Sequence, residues 1–285
     1  SALERNEQVL YEVDSYYARA LYADAIHAVR PVLNDRGIVR IVKGRHPLLD
    51  AKTAVHVSLE LGEKYDFLVI SGANTGGKTV TLKMCGLFCL MAACGMYVPA
   101  AEARLGIFDG VYCDIGDRQS IEENLSTFSS HVLNLKEIVS AADARSLALI
   151  DEPGGGTDPE EGQAIAKSVI ISLLEKKVRG IVTTHYSSLK EFAYETERVE
   201  NASMEFDGNT YRPLYRLSVG TAGSSNALAI CDRLGLPKEI LERARGYLSD
   251  GARAFENTVR AAEQSRILTD EARRQAEEVR REWEM

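Results

Sequence analysis

Three short stretches carry side chains whose types and order could handle a phosphorylated nucleotide. The first, Gly72-Ala73-Asn74-Thr75-Gly76-Gly77-Lys78-Thr79, fits G-x-x-x-x-G-K-[ST] and stands between the apolar run Phe67-Leu68-Val69-Ile70 and a long apolar segment that starts at Lys78. Its glycines let backbone N–H groups converge on phosphate oxygens, and Lys78 brings a positive charge toward the β and γ phosphates. Thr79 offers a hydroxyl to Mg²⁺, and the first turn of the following helix directs its positive end at the anion. The plain alternative is a glycine turn between a strand and a helix.

The second stretch, Leu147-Ala148-Leu149-Ile150-Asp151-Glu152, is an apolar run closed by two carboxylates. At the C-terminal end of a strand beside the phosphate loop, Asp151 would hold the Mg²⁺ shell and Glu152 would orient or deprotonate an attacking water. Taken alone, the pair also fits a solvated strand end. The third stretch is Thr183-Thr184-His185, where His185 could meet a γ-phosphate, although a lone histidine serves equally as a structural hydrogen-bonding group. His46 sits in the compact turn Gly44-Arg45-His46-Pro47 and could border the nucleotide. His27, His56 and His131 have no comparable support in the pattern.

These groups need a scaffold that delivers them to one place. Residues 4–30 put Leu10, Val13, Tyr17, Leu21 and Ala25 at steps of three and four before Pro31, which predicts a helix. Ile38 to Val42 and Phe67 to Ile70 are strand-like, Lys78 to Cys94 is helical, and Leu147 to Ile150 is again a strand. A helix over about 160–176 and the strand Gly180 to Thr184 complete an alternation that predicts an α/β domain with a largely parallel sheet. After Gly220 only helices are expected. Ser225 to Leu234 ends at Gly235, and Pro237, in the first turn of the next helix, opens a segment with Ile240, Leu241, Ala244 and Leu248 on one face. This helix-turn-helix could read DNA, but Glu239 and Glu242 among its basic residues oppose phosphate. Residues 252–285, rich in Arg, Glu and Ala with a seam of small residues, predict a weakly self-associating helical arm.

The 285 residues are 45% hydrophobic and 27% charged, enough for one substantial core or two small ones. No run of eighteen apolar residues and no secretory pattern is present, so a cytoplasmic protein with no membrane partner is expected. Cys85, Cys89, Cys94, Cys113 and Cys231 show no CxxC spacing, against a zinc site or a disulfide framework. With 34 basic and 42 acidic residues the net charge is −8, so any nucleic-acid contact requires a local patch or another part of a longer protein.

Read in order, the phosphate loop, Gln119 within DIGDRQSIEENLSTFSSH, Ser126-Thr127-Phe128, LIDEPGGGTDPEEG and TTH resemble the ATPase domain of MutS proteins, relatives of the ABC-type ATPases. Thr75, Thr79 and the GTDPEEG run resemble the second bacterial branch rather than the mismatch-repair branch. Pro153 departs from that branch, which more often has Leu there. The resemblance implies a P-loop NTPase of ABC/MutS type with a mixed, largely parallel sheet flanked by helices, followed by a helix-turn-helix dimerisation element and a helical arm. It divides the chain into a helical lead-in (1–36), the ATPase domain (37–219), the dimerisation element (220–250) and the arm (251–285). Upstream core, clamp and lever regions and a C-terminal nuclease-type domain called Smr are expected to lie outside this chain.

It further implies ATP/ADP and Mg²⁺ as ligands and a homodimer in which Ser126 and Thr127 of one chain face the nucleotide of the other, with Gln119, Asn74, Thr157 and Asp158 near that seam. Without the resemblance, Ser126-Thr127 reads as an ordinary helix cap. The physiological targets it implies are branched or recombining DNA, or stalled ribosomes, reached through regions outside this chain. The alternatives are a nucleotide-binding dimerisation switch with negligible hydrolysis, a dimerisation module holding a permanent nucleotide, and a mismatch-repair ATPase.

Overall fold

The computed structural model describes residues 2–72, 76–116, 127–207, 213–224 and 227–248, together with separate positions between 251 and 276. The phosphate-loop residues Ala73, Asn74 and Thr75, as well as Gln119, Ser126 and the side chain of Thr127, lie outside the described set.

The first helix, α1 (Ala2–Ala25), ends five residues earlier than its spacing predicts. His27 takes a left-handed φ of 52°, His27 N–H donates to Asp24 O (3.0 Å) and Ala28 N–H donates to Ala23 O (2.8 Å). That pair of bonds is a Schellman closure with histidine where glycine is usual, so the backbone turns off well before Pro31. The regularly spaced Leu10, Val13, Tyr17 and Leu21 all stay exposed.

Two sheets follow. The smaller has the order β1-β5-β2-β3, built from β1 (Val32–Asn34), β2 (Val39–Gly44), β3 (Val57–Leu61) and β5 (Glu102–Gly106). The larger has the order β10-β9-β4-β8-β7-β6, from β4 (Phe67–Ser71), β6 (Gly110–Asp114), β7 (Ser146–Ile150), β8 (Arg179–Thr184), β9 (Val199–Phe206) and β10 (Pro213–Val219). Its pairings are parallel from β9 through β6, and only β10 runs antiparallel, at one edge. The alternating strands and helices of the sequence thus give the expected largely parallel sheet.

Both faces of this sheet are covered, which is why β4 and β7 are continuous apolar runs buried at every residue. Leu68, Ile70, Leu147 and Leu149 face the small sheet and α2 (Lys78–Ala93). Phe67, Val69, Ala148 and Ile150 face α3 (Thr127–Ala141), α4 (Pro159–Glu175) and α5 (Ser187–Glu195). Close backbone approach matters at α4, where a Cβ on Gly162 would lie 2.2 Å from Gly154 O.

The C-terminal pair is α6 (Ala227–Arg233) and α7 (Lys238–Tyr247), separated by Gly235 at φ 87°. Pro237 is the N-cap of α7, with ψ 136°, rather than a first-turn residue as the pattern suggested. Leu241 is buried, whereas Ile240, Tyr247 and Leu248 are exposed. Beyond α7, Arg266 donates to Val219 O (3.1 Å) and Thr221 Oγ1 (3.0 Å), tying the arm to the end of β10. Among the described residues no helix is long and apolar enough to cross a membrane.

Candidate active site

The ends of β4, β7 and β8 lie side by side, because Ser71 pairs with Thr184 and Ile150 with Val182 in parallel register. Whatever follows these strands therefore converges. After β4 comes the glycine loop, in which Gly72 (φ 127°) and Gly77 (φ 95°) adopt backbone conformations that disfavour side chains. Gly77 caps α2, so Lys78 and Thr79 open that helix. Gly72 and Gly76 pack over Met204 of β9.

Lys78 is 1% exposed and directs Nζ to Glu152 Oε1 (3.2 Å) and Thr184 O (3.4 Å). Burying an ammonium is costly unless it is paired, and here the pairing draws Lys78 across to the carboxylates after β7. Thr79 Oγ1 donates to Asp151 Oδ2 (2.8 Å), and Thr183 Oγ1 donates to the other oxygen, Oδ1. The same Thr183 hydroxyl accepts the amide of Glu152 (3.1 Å). Thr183 was named in the third stretch but given no role of its own, since in sequence it is one more β-branched residue in a strand.

Glu152 has a left-handed φ of 50°. A non-glycine residue there is strained, and the following residues hold it. Gly155 N–H donates to Glu152 O (3.1 Å), Pro153 stands at the second turn position, and Gly154 has φ 79° at the third. These are the residue preferences of a type II turn, so Pro153 suits the loop.

The Glu152 carboxylate lies 3.5 Å from His185 Nδ1 through its second oxygen. Hydrogen bonding from His185 first, then the charge and hydrogen bond of Lys78, hold its pKa down to about 2 against the opposing effect of partial burial. Glu152 is thus ionised at neutral pH and held between Lys78 and His185. The His185 ring packs on Tyr186 (4.3 Å between centroids), whose hydroxyl donates to Gly154 O (3.4 Å).

A second layer was also missed. Asp114 ends β6 beside Ile150, its carbonyl accepts Asp151 N–H (2.8 Å), and its buried carboxylate contacts His131 Nδ1 (2.8 Å) and Asn134 Nδ2 (2.8 Å) of α3. His131, set aside on sequence, thereby ties the helix that begins at Thr127 to the strand next to Asp151. The signal was available: His131 and Asn134 are three apart on one helix face, and Asp114 closes a strand as Asp151 does.

His46 lines a cleft of about 350 Å³ with Gly77, Val80, Met84, Met204 and Tyr215. Partial burial, then the charge of Lys83, lowers its pKa. Asp158 accepts from Glu160 N (2.9 Å) and Glu161 N (3.1 Å) as the N-cap of α4, with Pro159 next, and Thr157 immediately precedes it. The structure therefore brings Lys78, Thr79, Asp151, Glu152 and His185 together, sets His46 beside the glycine loop, and gives Asp158 a helix to cap.

The donor set suits a hard divalent cation. A hydroxyl and a carboxylate, from Thr79 and Asp151, supply oxygen ligands at one point, in keeping with a Mg²⁺ that takes few protein ligands and fills its shell from water and phosphate.

The model of the family described as MutS domain V matches residues 68–250. Among known proteins, the chain is 46% identical over 271 residues to an Endonuclease MutS2 of Geobacillus sp. (strain WCH70), covering 95% of this chain and 35% of that protein. It is 46% identical over 284 residues to Endonuclease MutS2 of Clostridium acetobutylicum, covering 99% and 36%. To that of Halalkalibacterium halodurans it is 49% identical over 261 residues, covering 91% and 33%. The chain spans about a third of the length of these curated relatives.

Proposed function

The chain belongs to the MutS family, in the branch named MutS2 and matching domain V, and from that premise we propose that it is a P-loop NTPase domain that binds and hydrolyses Mg-ATP. The observation that carries the reading is the convergence of Lys78, Thr79, Asp151 and Glu152 at the mouths of adjacent parallel strands.

In this reading the glycine loop and the start of α2 cradle the phosphates, and the cleft lined by His46, Val80 and Tyr215 receives the base. Thr79 and Asp151 would hold Mg²⁺, which when bound neutralises charge on the phosphate oxygens. A γ-phosphate arriving at Lys78 competes with Glu152 for the ammonium. Glu152 then loses the ammonium that helps keep its proton affinity low, so it becomes a stronger base toward a water. His185 stays beside it to hold its orientation. The left-handed backbone at Glu152 fixes where its carboxylate can reach.

We further assign the homodimeric arrangement to this chain: Ser126 and Thr127 acting on the partner's nucleotide, Gln119 and Thr157 near the seam, and the α6–α7 element packing chain to chain. The exposed Ile240, Tyr247 and Leu248 of that element support the last point. The division into lead-in, ATPase domain, dimerisation element and arm belongs to the same proposal. Action on branched DNA or on stalled ribosomes, and any nucleolytic activity reflected in the relatives' name, are proposed for the longer protein.

The test is phosphate release from Mg-ATP alongside equilibrium binding of nucleotide, over a wide range of protein concentration. Lys78→Ala should lose nucleotide binding, and Glu152→Gln should bind ATP but scarcely hydrolyse it. Undiminished turnover by Glu152→Gln would overturn the assignment of the base. Turnover per chain that rises with concentration to a plateau would support a site completed in trans.

A further inference from the structure

The 46–56 loop lines the nucleotide cleft with Leu49, Asp50 and Thr53, and it also contributes Ala51 and His56 to a second cavity of about 300 Å³ that shares no lining residue with the first. The ionisable residues around this second cavity are His27, Lys43, Arg45 and His56, and among the described residues no carboxylate lines it. In a chain of net charge −8 that is an unexpected local balance.

Arg45 is the central observation. It is 6% exposed, and two of its N–H groups donate to backbone carbonyls, Nη1 to Leu49 O (2.8 Å) and Nη2 to Ile26 O (2.9 Å). Among the described residues no carboxylate pairs with it. A buried guanidinium carries five donors and a full charge, and leaving that charge uncompensated is costly.

A second observation is independent of Arg45. His27 and Lys43 both hold left-handed backbone, at φ 52° and 50°, positions where glycine would be unstrained. His27 closes α1, and Lys43 sits at the irregularity of β2 between Ile41 and Gly44, its amide donating to Ser58 Oγ (2.9 Å). Two strained positions thus carry basic residues, and both line the same cavity.

We propose that this cavity binds a phosphate-class oxyanion, held by Arg45 together with His27, Lys43 and His56. An oxyanion supplies the missing counter-charge and accepts the free guanidinium donors, in the charge-assisted geometry Arg favours. Because the same guanidinium grips Leu49 O, and Leu49 lines the nucleotide cleft, occupancy bears on the wall of that cleft. The inference does not rest on the nucleotide reading.

The experiment titrates inorganic phosphate into the whole chain carrying Lys78→Ala, so that the glycine loop does not take up the probe. Ionic strength is held constant with chloride, and binding is followed by ³¹P line width and by melting temperature. Saturable binding should persist in Lys78→Ala and weaken about tenfold or more on adding His56→Ala or Lys43→Gly. Lys43→Gly removes charge while relieving the left-handed strain, so its melting temperature without phosphate should hold or rise, which separates lost binding from lost folding. The proposal is overturned if chloride protects as well as phosphate, if binding vanishes with Lys78→Ala, or if it is indifferent to both cavity variants. A thymidine decamer as competitor separates the sources: displacement of phosphate assigns a nucleic-acid backbone, and retention assigns a small free oxyanion, the site standing in either case.

Discussion

Replacing Thr183 by valine probes the arrangement of the carboxylates without touching the phosphate loop. The side chain is fully buried, and its hydroxyl makes two bonds, one donated to Asp151 Oδ1 and one accepted from Glu152 N–H at 3.1 Å. Valine keeps the volume and removes both. A hydrogen bond to a charged group contributes about 1.5–3 kcal/mol, and an amide left without an acceptor costs about 1–3 kcal/mol. Asp151 retains the Thr79 hydroxyl on its other oxygen at 2.8 Å, which offsets part of the loss, so a net destabilisation of about 2 kcal/mol is expected. If a comparable energy is lost from the positioning of Asp151 and Glu152 in the transition state, kcat falls about 10- to 100-fold, at about 1.4 kcal/mol per decade. Nucleotide affinity should change little, since Lys78 and the glycine loop are untouched. Thr183→Ser keeps the hydroxyl and should recover most of the rate. The assay is single-turnover phosphate release with parallel nucleotide binding. A valine variant that melts lower yet hydrolyses within about twofold of the parent would refute a positioning role and leave Thr183 a structural residue.

Other consequences are equally direct. Glu152 has its folded pKa depressed to about 2 from an ordinary 4.5, so the stability it contributes is complete above about pH 4.5 and is lost as pH falls toward 2, with a ceiling of about 3 kcal/mol. The difference between the parent and Glu152→Gln in urea unfolding should therefore shrink as pH falls from about 5 to about 2, and a constant difference would contradict the sign. Gly162→Ala drives a Cβ to 2.2 Å from the carbonyl of Gly154; backbone against backbone has little room to yield, so a loss of about 1–3 kcal/mol or more is expected by thermal unfolding, together with displacement of the turn that carries Glu152.

The residues most legible in the sequence were those whose chemistry restricts neighbours on both sides. The glycine loop was readable because strand, glycines, lysine and helix must follow in that order, and Asp151-Glu152 because an apolar run ending in two acids lies downstream of such a loop. The buried strands β4, β7 and β8 were readable as apolar runs. The small sheet was not, since β1 is only three residues long and finds its partner β5 far along the chain, and β5 pairs parallel on one side and antiparallel on the other. Thr183 and Asp114 escaped because their roles lie in contacts to other strands, which periodicity within one strand does not record. The end of α1 was misjudged because Pro31 looked like the stop, while the local bonding at His27 had already closed the helix.

The placement of β4 bears on how the site comes into being during synthesis. Its two neighbours in the sheet are β8 and β9, which begin only at Arg179 and Val199. At about 5–20 residues per second, roughly 7 to 26 seconds separate the emergence of β4 from that of β9. Until β8 emerges an apolar strand waits with both edges unpaired, and until β9 emerges with one, the situation in which strands add to the wrong partner. Loop closure over so long a separation also makes this a slow topology to complete. A nascent chain stalled before Val199 should be bound by chaperones and cleaved readily around Phe67 to Ser71, and that vulnerability should end abruptly once β9 is released.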